Sequence, residues 1–223
     1  VTMEQIVLVG GLWTDSSVWS SVVAELGPQA VPVELPTHAS ATLDDQVAAV
    51  VAAVDAGPGT SVVVGHSAAC TLAWLAADAR PDKVSKVVLI GGFPTAEGEQ
   101  YAAFFEIVNG FMPFPGWEPF EGPDAADLDS ATREDFAATA VAVPEGVATA
   151  VVRYSDERRL QVPVVLICPE FTPEQAREWL AEGELPELAK ATNLELVNID
   201  SGHWPMLTRP AELADLLQES ARR

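Results

Sequence analysis

The segments IVLV (6–9), VVV (62–64), VVLI (87–90) and VVLI (164–167) are apolar at every position, not at every second one. A strand with one wet face alternates, so uninterrupted runs of this length belong to strands buried on both faces. Each run is short, rich in β-branched residues and closed by glycine, proline or a polar turn, as a strand is. Extended by their flanks, and with two more such segments, the strands are expected at 5–11, 30–36, 60–65, 85–92, 162–168 and 194–200.

Helical patterns separate them. Val18, Trp19, Val22, Val23 and Leu26 recur at helical spacing over 16–26, ahead of the stop at Gly27. Over 42–57, Val47, Val50, Val51 and Val54 form one face behind a T-x-x-D capping box at Thr42 and Asp45. AACTLAWLAADA (68–79) is closed by Arg80-Pro81, a further helix opens at Thr172-Pro173 with Gln175, and the last begins near Pro210. Strand and helix in alternation, with right-handed crossovers, make a doubly wound α/β domain whose mostly parallel sheet is flanked by helices. With 48% hydrophobic residues, the chain is expected to form a single domain over 1–223. Residues 94–159 break the alternation: they carry no convincing strand but include the aromatic, proline-rich FFEIVNGFMPFPGWEPFEGP (104–123), read as a helical lid insertion over the carboxyl edge of the sheet.

Thirty-three acidic against 12 basic residues give a formal charge of −21. Such a surface repels phosphate backbones and anionic headgroups, so neither nucleic acid nor membrane is an expected partner. No basic segment precedes the first apolar run, and no apolar stretch reaches membrane-spanning length, which makes a cytoplasmic location the expectation. Cys70 and Cys168 fit buried, reduced thiols. With no metal-ligand spacing and no G-x-G-x-x-G loop, neither metal nor cofactor is expected.

Gly65-His66-Ser67-Ala68-Ala69 follows a VVV strand directly and leads into an apolar helix. A tight strand-to-helix turn of this kind exposes a serine Oγ at the sheet edge, needs small neighbours, and aims helix N-terminal N–H groups, Ala68 among them, at a developing oxyanion. The competing role for Ser67 is a plain helix N-cap. A serine nucleophile needs a base, and the chain holds three histidines. His66 points to the opposite face from its neighbour, His38 sits in the loop LPTHAS, and His203, after the last strand at the same sheet edge, is the best placed.

With these residues in view, the chain resembles the α/β-hydrolase-fold superfamily over essentially its full length. The elbow is matched by 65–69, the catalytic-histidine loop by Gly202-His203-Trp204-Pro205, and the oxyanion loop by VLVGGLWTDSSVW (7–19). The resemblance implies Ser67 as nucleophile, His203 as general base, and the N–H groups of Leu12 and Ala68 as the oxyanion hole, with Trp13, His66 and Trp204 lining a substrate pocket. The chain departs from the pattern at three places. Gly10-Gly11 replaces the usual His-Gly, Ala69 replaces the last elbow glycine, and Thr172 stands where the family's acid is expected. Glu170, two residues earlier, is the candidate acid, ahead of Glu174, Asp156 and Asp200. The implied activity is hydrolysis of a small or medium ester through an acyl-enzyme. Alternatives on the same fold are a non-catalytic small-molecule-binding protein, hydroxynitrile-lyase-like chemistry and a cofactor-independent oxygenase.

Overall fold

The computed structural model describes residues 4–222. In chain order the elements are β1 (Gln5–Val9), α1 (Ser20–Leu26), β2 (Ala30–Pro32), α2 (Leu43–Ala56), β3 (Ser61–His66), α3 (Ala69–Ala79) and β4 (Val84–Ile90). There follow β5 (Phe111–Met112), α4 (Ser130–Thr139), β6 (Val143–Pro144), α5 (Glu145–Ala148), β7 (Val164–Cys168), α6 (Pro173–Glu182), β8 (Leu194–Asn198), α7 (Pro205–Thr208) and α8 (Pro210–Arg222).

Six strands form one parallel sheet in the order β2-β1-β3-β4-β7-β8. This is the doubly wound sheet that the continuous apolar runs demand, and every residue of β3 and β7 is buried. From β1 the chain steps outward to β2, then returns to the other side of β1 and proceeds through β3, β4, β7 and β8. The direction of winding therefore reverses between β1 and β3, and the loops leaving their carboxyl ends part there, which is where open α/β sheets place their ligands.

The expected capping box at α2 is present, and α6 has one too. Thr42 and Asp45 exchange bonds at the start of α2, and Thr172 and Gln175 do so at the start of α6. The second strand is shorter than expected, three residues instead of 30–36. Pro32 has no N–H for the ladder and Pro36 none either, so after the bond from Val33 N–H to the Leu8 carbonyl (2.9 Å) the chain leaves the sheet. Residues 94–159 do hold β-structure, the two-residue antiparallel pair β5–β6, too brief for a periodicity signal.

Helix α3 is buried along almost its whole length, including its one charged residue, Asp78. That carboxylate accepts the N–H groups of Ser155 and Asp156, the Ser155 hydroxyl and Arg159 Nη1. Arg159 in turn donates to Glu187 (2.8 and 3.0 Å), which also accepts Trp74 Nε1 of α3 and Lys190 Nζ. Burial opposes the Glu187 charge, but the bonds from Trp74, Lys190 and Arg159 outweigh it and hold the carboxyl below its ordinary range. The network fastens the chain entering β7 to the helix that starts at the elbow.

Removing the Arg159 cation takes the counter-charge from buried Asp78 and leaves Glu187 with Lys190 alone. Arg159→Met should lower the unfolding free energy by about 3–5 kcal/mol, read from the urea midpoint; an unchanged midpoint would contradict a stabilising network. Because the Glu187 pKa is depressed on folding, its contribution is present above the unfolded value near 4.5 and is lost as pH falls through the folded value.

Candidate active site

The turn from β3 to α3 is sterically tight. Ser67 has φ +56°, in the left-handed region that residues with a Cβ rarely occupy. A Cβ on Gly65 would run into the Ala69 carbonyl, and one on Gly92, after β4, would run into the backbone of Ser67 itself. Two bonds hold the serine there: its N–H to the Ile90 carbonyl (2.8 Å) and its carbonyl to the Cys70 N–H (3.0 Å). Ala68, not Ser67, is the N-cap of α3, so the hydroxyl is not used in capping. The alanine in place of the last elbow glycine is buried without a clash, since the close approach falls on Gly65.

The Ser67 hydroxyl meets His203 Nε2 at 2.9 Å, and His203 Nδ1 meets Glu170 Oε1 at 2.6 Å. With Nδ1–H donated to the carboxylate, Nε2 has its lone pair towards the serine. Both His203 and Glu170 are largely shielded, with side chains 13% and 15% exposed. Of the other carboxyl candidates, Glu174 pairs with Arg177 and Asp156 with Arg158, and Asp200 accepts from Arg209 through its main-chain carbonyl; the carboxylate on His203 is that of Glu170. His38 is exposed and bonds Ser40.

The backbone of the histidine loop is held from outside its own element. Asp124 accepts the His203 N–H through its carbonyl (2.8 Å), and the Asp127 carboxylate accepts the Gly202 N–H (2.8 Å). Both aspartates come from the 94–159 segment, and a side chain at Gly202 would strike them. On the opposite side His66 Nε2 donates to the His203 carbonyl at 2.6 Å. Burial, and then the proximity of His203, pushes the His66 pKa down to about 3. Sequence reasoning did not find Asp124 and Asp127, and no local spacing marks them, because they act on a loop about 75 residues away along the chain.

The loop after β1 folds over the elbow. A Cβ on Gly11 would lie 2.9 Å from His66 Nδ1 and 3.2 Å from Ser67 Cβ. At Gly10, where the superfamily pattern has a larger residue, the space belongs to Thr14, whose hydroxyl donates to the Gly11 carbonyl (2.7 Å) and braces the turn. Trp13 also has positive φ (65°) and is anchored by Nε1 to the Met112 carbonyl (3.2 Å). Among the described residues no backbone acceptor engages the N–H of Leu12 or of Ala68.

A small cavity opens over Ser67, and Trp13, His66 and Trp204 stand in its wall with Leu12, Phe105 and Phe120. Phe104 also lines it and is 63% exposed. The wall is aromatic and has no lysine or arginine. Trp13 packs on Phe105, Phe114 and Phe120, and Trp204 on Trp117, Phe120 and Phe136, so the 94–159 aromatics serve as core and pocket wall at once. Cys70 and Cys168 are buried and unpaired with each other. Among the described residues no cluster of three His, Cys, Asp or Glu side chains could hold a metal ion, and no helix is long and apolar enough to cross a membrane.

A family model described as the alpha/beta hydrolase family matches residues 6–216. No curated protein matches the chain. Among solved structures, an extracellular alpha/beta-hydrolase from a Paenibacillus species, described as sharing structural and functional homology with tobacco salicylic acid binding protein 2, is similar with a TM-score of 0.79 at 16% identity, covering 99% of this chain and 100% of the other. A pyrethroid hydrolase from Sphingobium faniae gives 0.74 at 18% identity over 99% and 98% of the two chains. A methylesterase from Arabidopsis gives 0.74 at 14% over 98% and 99%. At these identities the likeness is one of fold.

Left-handed backbone at a residue with a Cβ costs on the order of 1–3 kcal/mol. Ser67→Gly should therefore be more stable than Ser67→Ala by about 1 kcal/mol in urea unfolding, both variants lacking the hydroxyl. Equal midpoints would mean that the turn is not strained.

Proposed function

The chain belongs to the alpha/beta hydrolase family, and on that premise we propose that it is a serine hydrolase cleaving small or medium neutral esters through an acyl-enzyme. The observation that carries this reading is the continuous relay Glu170–His203–Ser67, at 2.6 and 2.9 Å, at the floor of an apolar cavity.

In the proposed mechanism the Ser67 hydroxyl attacks the ester carbonyl carbon as its proton passes to His203 Nε2. Glu170, bonded to Nδ1–H, fixes the tautomer and stabilises the imidazolium that forms. The carbonyl oxygen takes up negative charge beside the N–H groups of Leu12 and Ala68, which have no competing backbone acceptor among the described residues. Collapse breaks the bond to the alcohol oxygen, which receives the proton from His203. Water then attacks the acyl carbon, giving its proton to Nε2, and the second collapse returns that proton to Ser67 Oγ and frees the acid.

The wall favours a neutral substrate, because among the described residues no lysine or arginine lines the cavity to offset a carboxylate and the chain carries a net charge of −21. Trp13, Phe105, Phe120 and Trp204 suit flat or branched apolar groups. A binding protein without catalysis is less well supported: its appeal lay in the missing acid at Thr172, and Glu170 bonds the histidine from two positions earlier.

4-Nitrophenyl butyrate should be hydrolysed with a pre-steady-state burst of one nitrophenol per chain, and with higher kcat/KM than mono(4-nitrophenyl) succinate. Ser67→Ala should remove the burst, and Glu170→Gln should lower kcat by roughly 10⁴-fold. Unchanged turnover in Ser67→Ala would refute the reading.

A further inference from the structure

His66 is the last residue of β3, adjacent to the nucleophile, and the relay from Glu170 to Ser67 does not include it. It is 1% exposed, and its two ring nitrogens differ. Nε2 lies 2.6 Å from the His203 carbonyl, an oxygen that can only accept, so Nε2 carries the hydrogen. Nδ1 is buried with no hydrogen-bond partner, against Gly11. A leucine or phenylalanine would fill this wall without stranding a nitrogen. The histidine therefore earns explanation by what Nε2 does.

His203 sits between Gly202 and Trp204-Pro205, outside any sheet ladder. Its side chain is set by Glu170 and Ser67, while its own main-chain groups reach two distant partners, the N–H to Asp124 and the C=O to His66. The first reaches the 94–159 segment. The second reaches the rigid sheet, one residue from Ser67.

We propose that His66 is a positioning residue for the base: by donating Nε2–H to the His203 carbonyl it ties the histidine loop to the strand that carries the nucleophile, so that Nε2 of His203 and Oγ of Ser67 share one rigid frame. The inference rests on the serine-hydrolase reading above. Full burial beside His203 keeps His66 neutral at working pH, which preserves the donor and avoids a second positive charge next to the imidazolium that forms in the reaction.

Two substitutions separate this role from packing. Glutamine sets its amide nitrogen near the place of Nε2, asparagine near that of Nδ1, and both remove the ring. With 4-nitrophenyl acetate as probe, His66→Phe and His66→Asn should acylate about a hundredfold more slowly than wild type with KM little changed, while His66→Gln recovers to within about tenfold. Asparagine equal to glutamine, or a loss confined to KM, would overturn the inference. ¹⁵N-imidazole NMR of the unsubstituted protein tests it without relying on any variant's folding: His66 should stay neutral with hydrogen on Nε2 between about pH 5 and 9. A hydrogen on Nδ1, or titration near the ordinary value of 6.5, would overturn it. A wild-type protein inert towards the ester would instead overturn the hydrolase reading, whereas an active wild type with equal Asn and Gln variants overturns the tether alone.

Discussion

Three backbones converge at Ser67, and the site depends on how closely they can approach. The end of β3, the first turn of α3 and the loop after β4 come so near one another that Gly65 and Gly92 have no room for a Cβ. Within that space the chain reverses through a left-handed residue, and the residue is a serine. The strain stays because the surroundings overdetermine it: Ile90 and Cys70 hold the backbone on both sides of the turn. A hydroxyl fixed in this way cannot drift from its partner, and the remaining parts of the site are arranged around its position.

The proposed base illustrates the opposite problem. His203 comes from a loop after the edge strand β8, where the fold offers no ladder to hold it. Its place is secured by contacts from three separated stretches: Glu170 after β7, Asp124 and Asp127 in the 94–159 segment, and His66 at the end of β3. The aromatic stretch 104–123 thus bears on the chemistry beyond its share of the wall, since the segment that carries it also grips the histidine loop. Trp13, braced by Met112 and by Phe105, Phe114 and Phe120, couples the same segment to the loop bearing the Leu12 N–H.

What could be read from the chain followed from local rules. Continuous apolar runs identify buried parallel strands, T-x-x-D and T-x-x-Q place helix starts, and a strand–Gly-x-Ser–helix junction singles out Ser67. Chain order and loop position single out His203, whereas Glu170 was reachable only through the resemblance to the α/β-hydrolase fold, which expects an acid after β7. What could not be read acts over long sequence separations or through the backbone. Asp124 works by its carbonyl, which any residue possesses, and Asp127 by bonding one N–H across the molecule. The short β5–β6 pair lacks a period to detect, and the curtailed β2 depends on where Pro32 and Pro36 meet an edge. The bond from His66 to a main-chain oxygen is invisible to side-chain patterns altogether.

The central claim is that the fold makes Ser67, and no other residue, a nucleophile. Intact-mass analysis after incubation with a fluorophosphonate, followed by peptide mapping, addresses it directly. The account predicts one covalent adduct per chain, located on Ser67 and absent when the protein is first unfolded in urea. A folded protein that takes up no label, or takes it up at another residue, would contradict it.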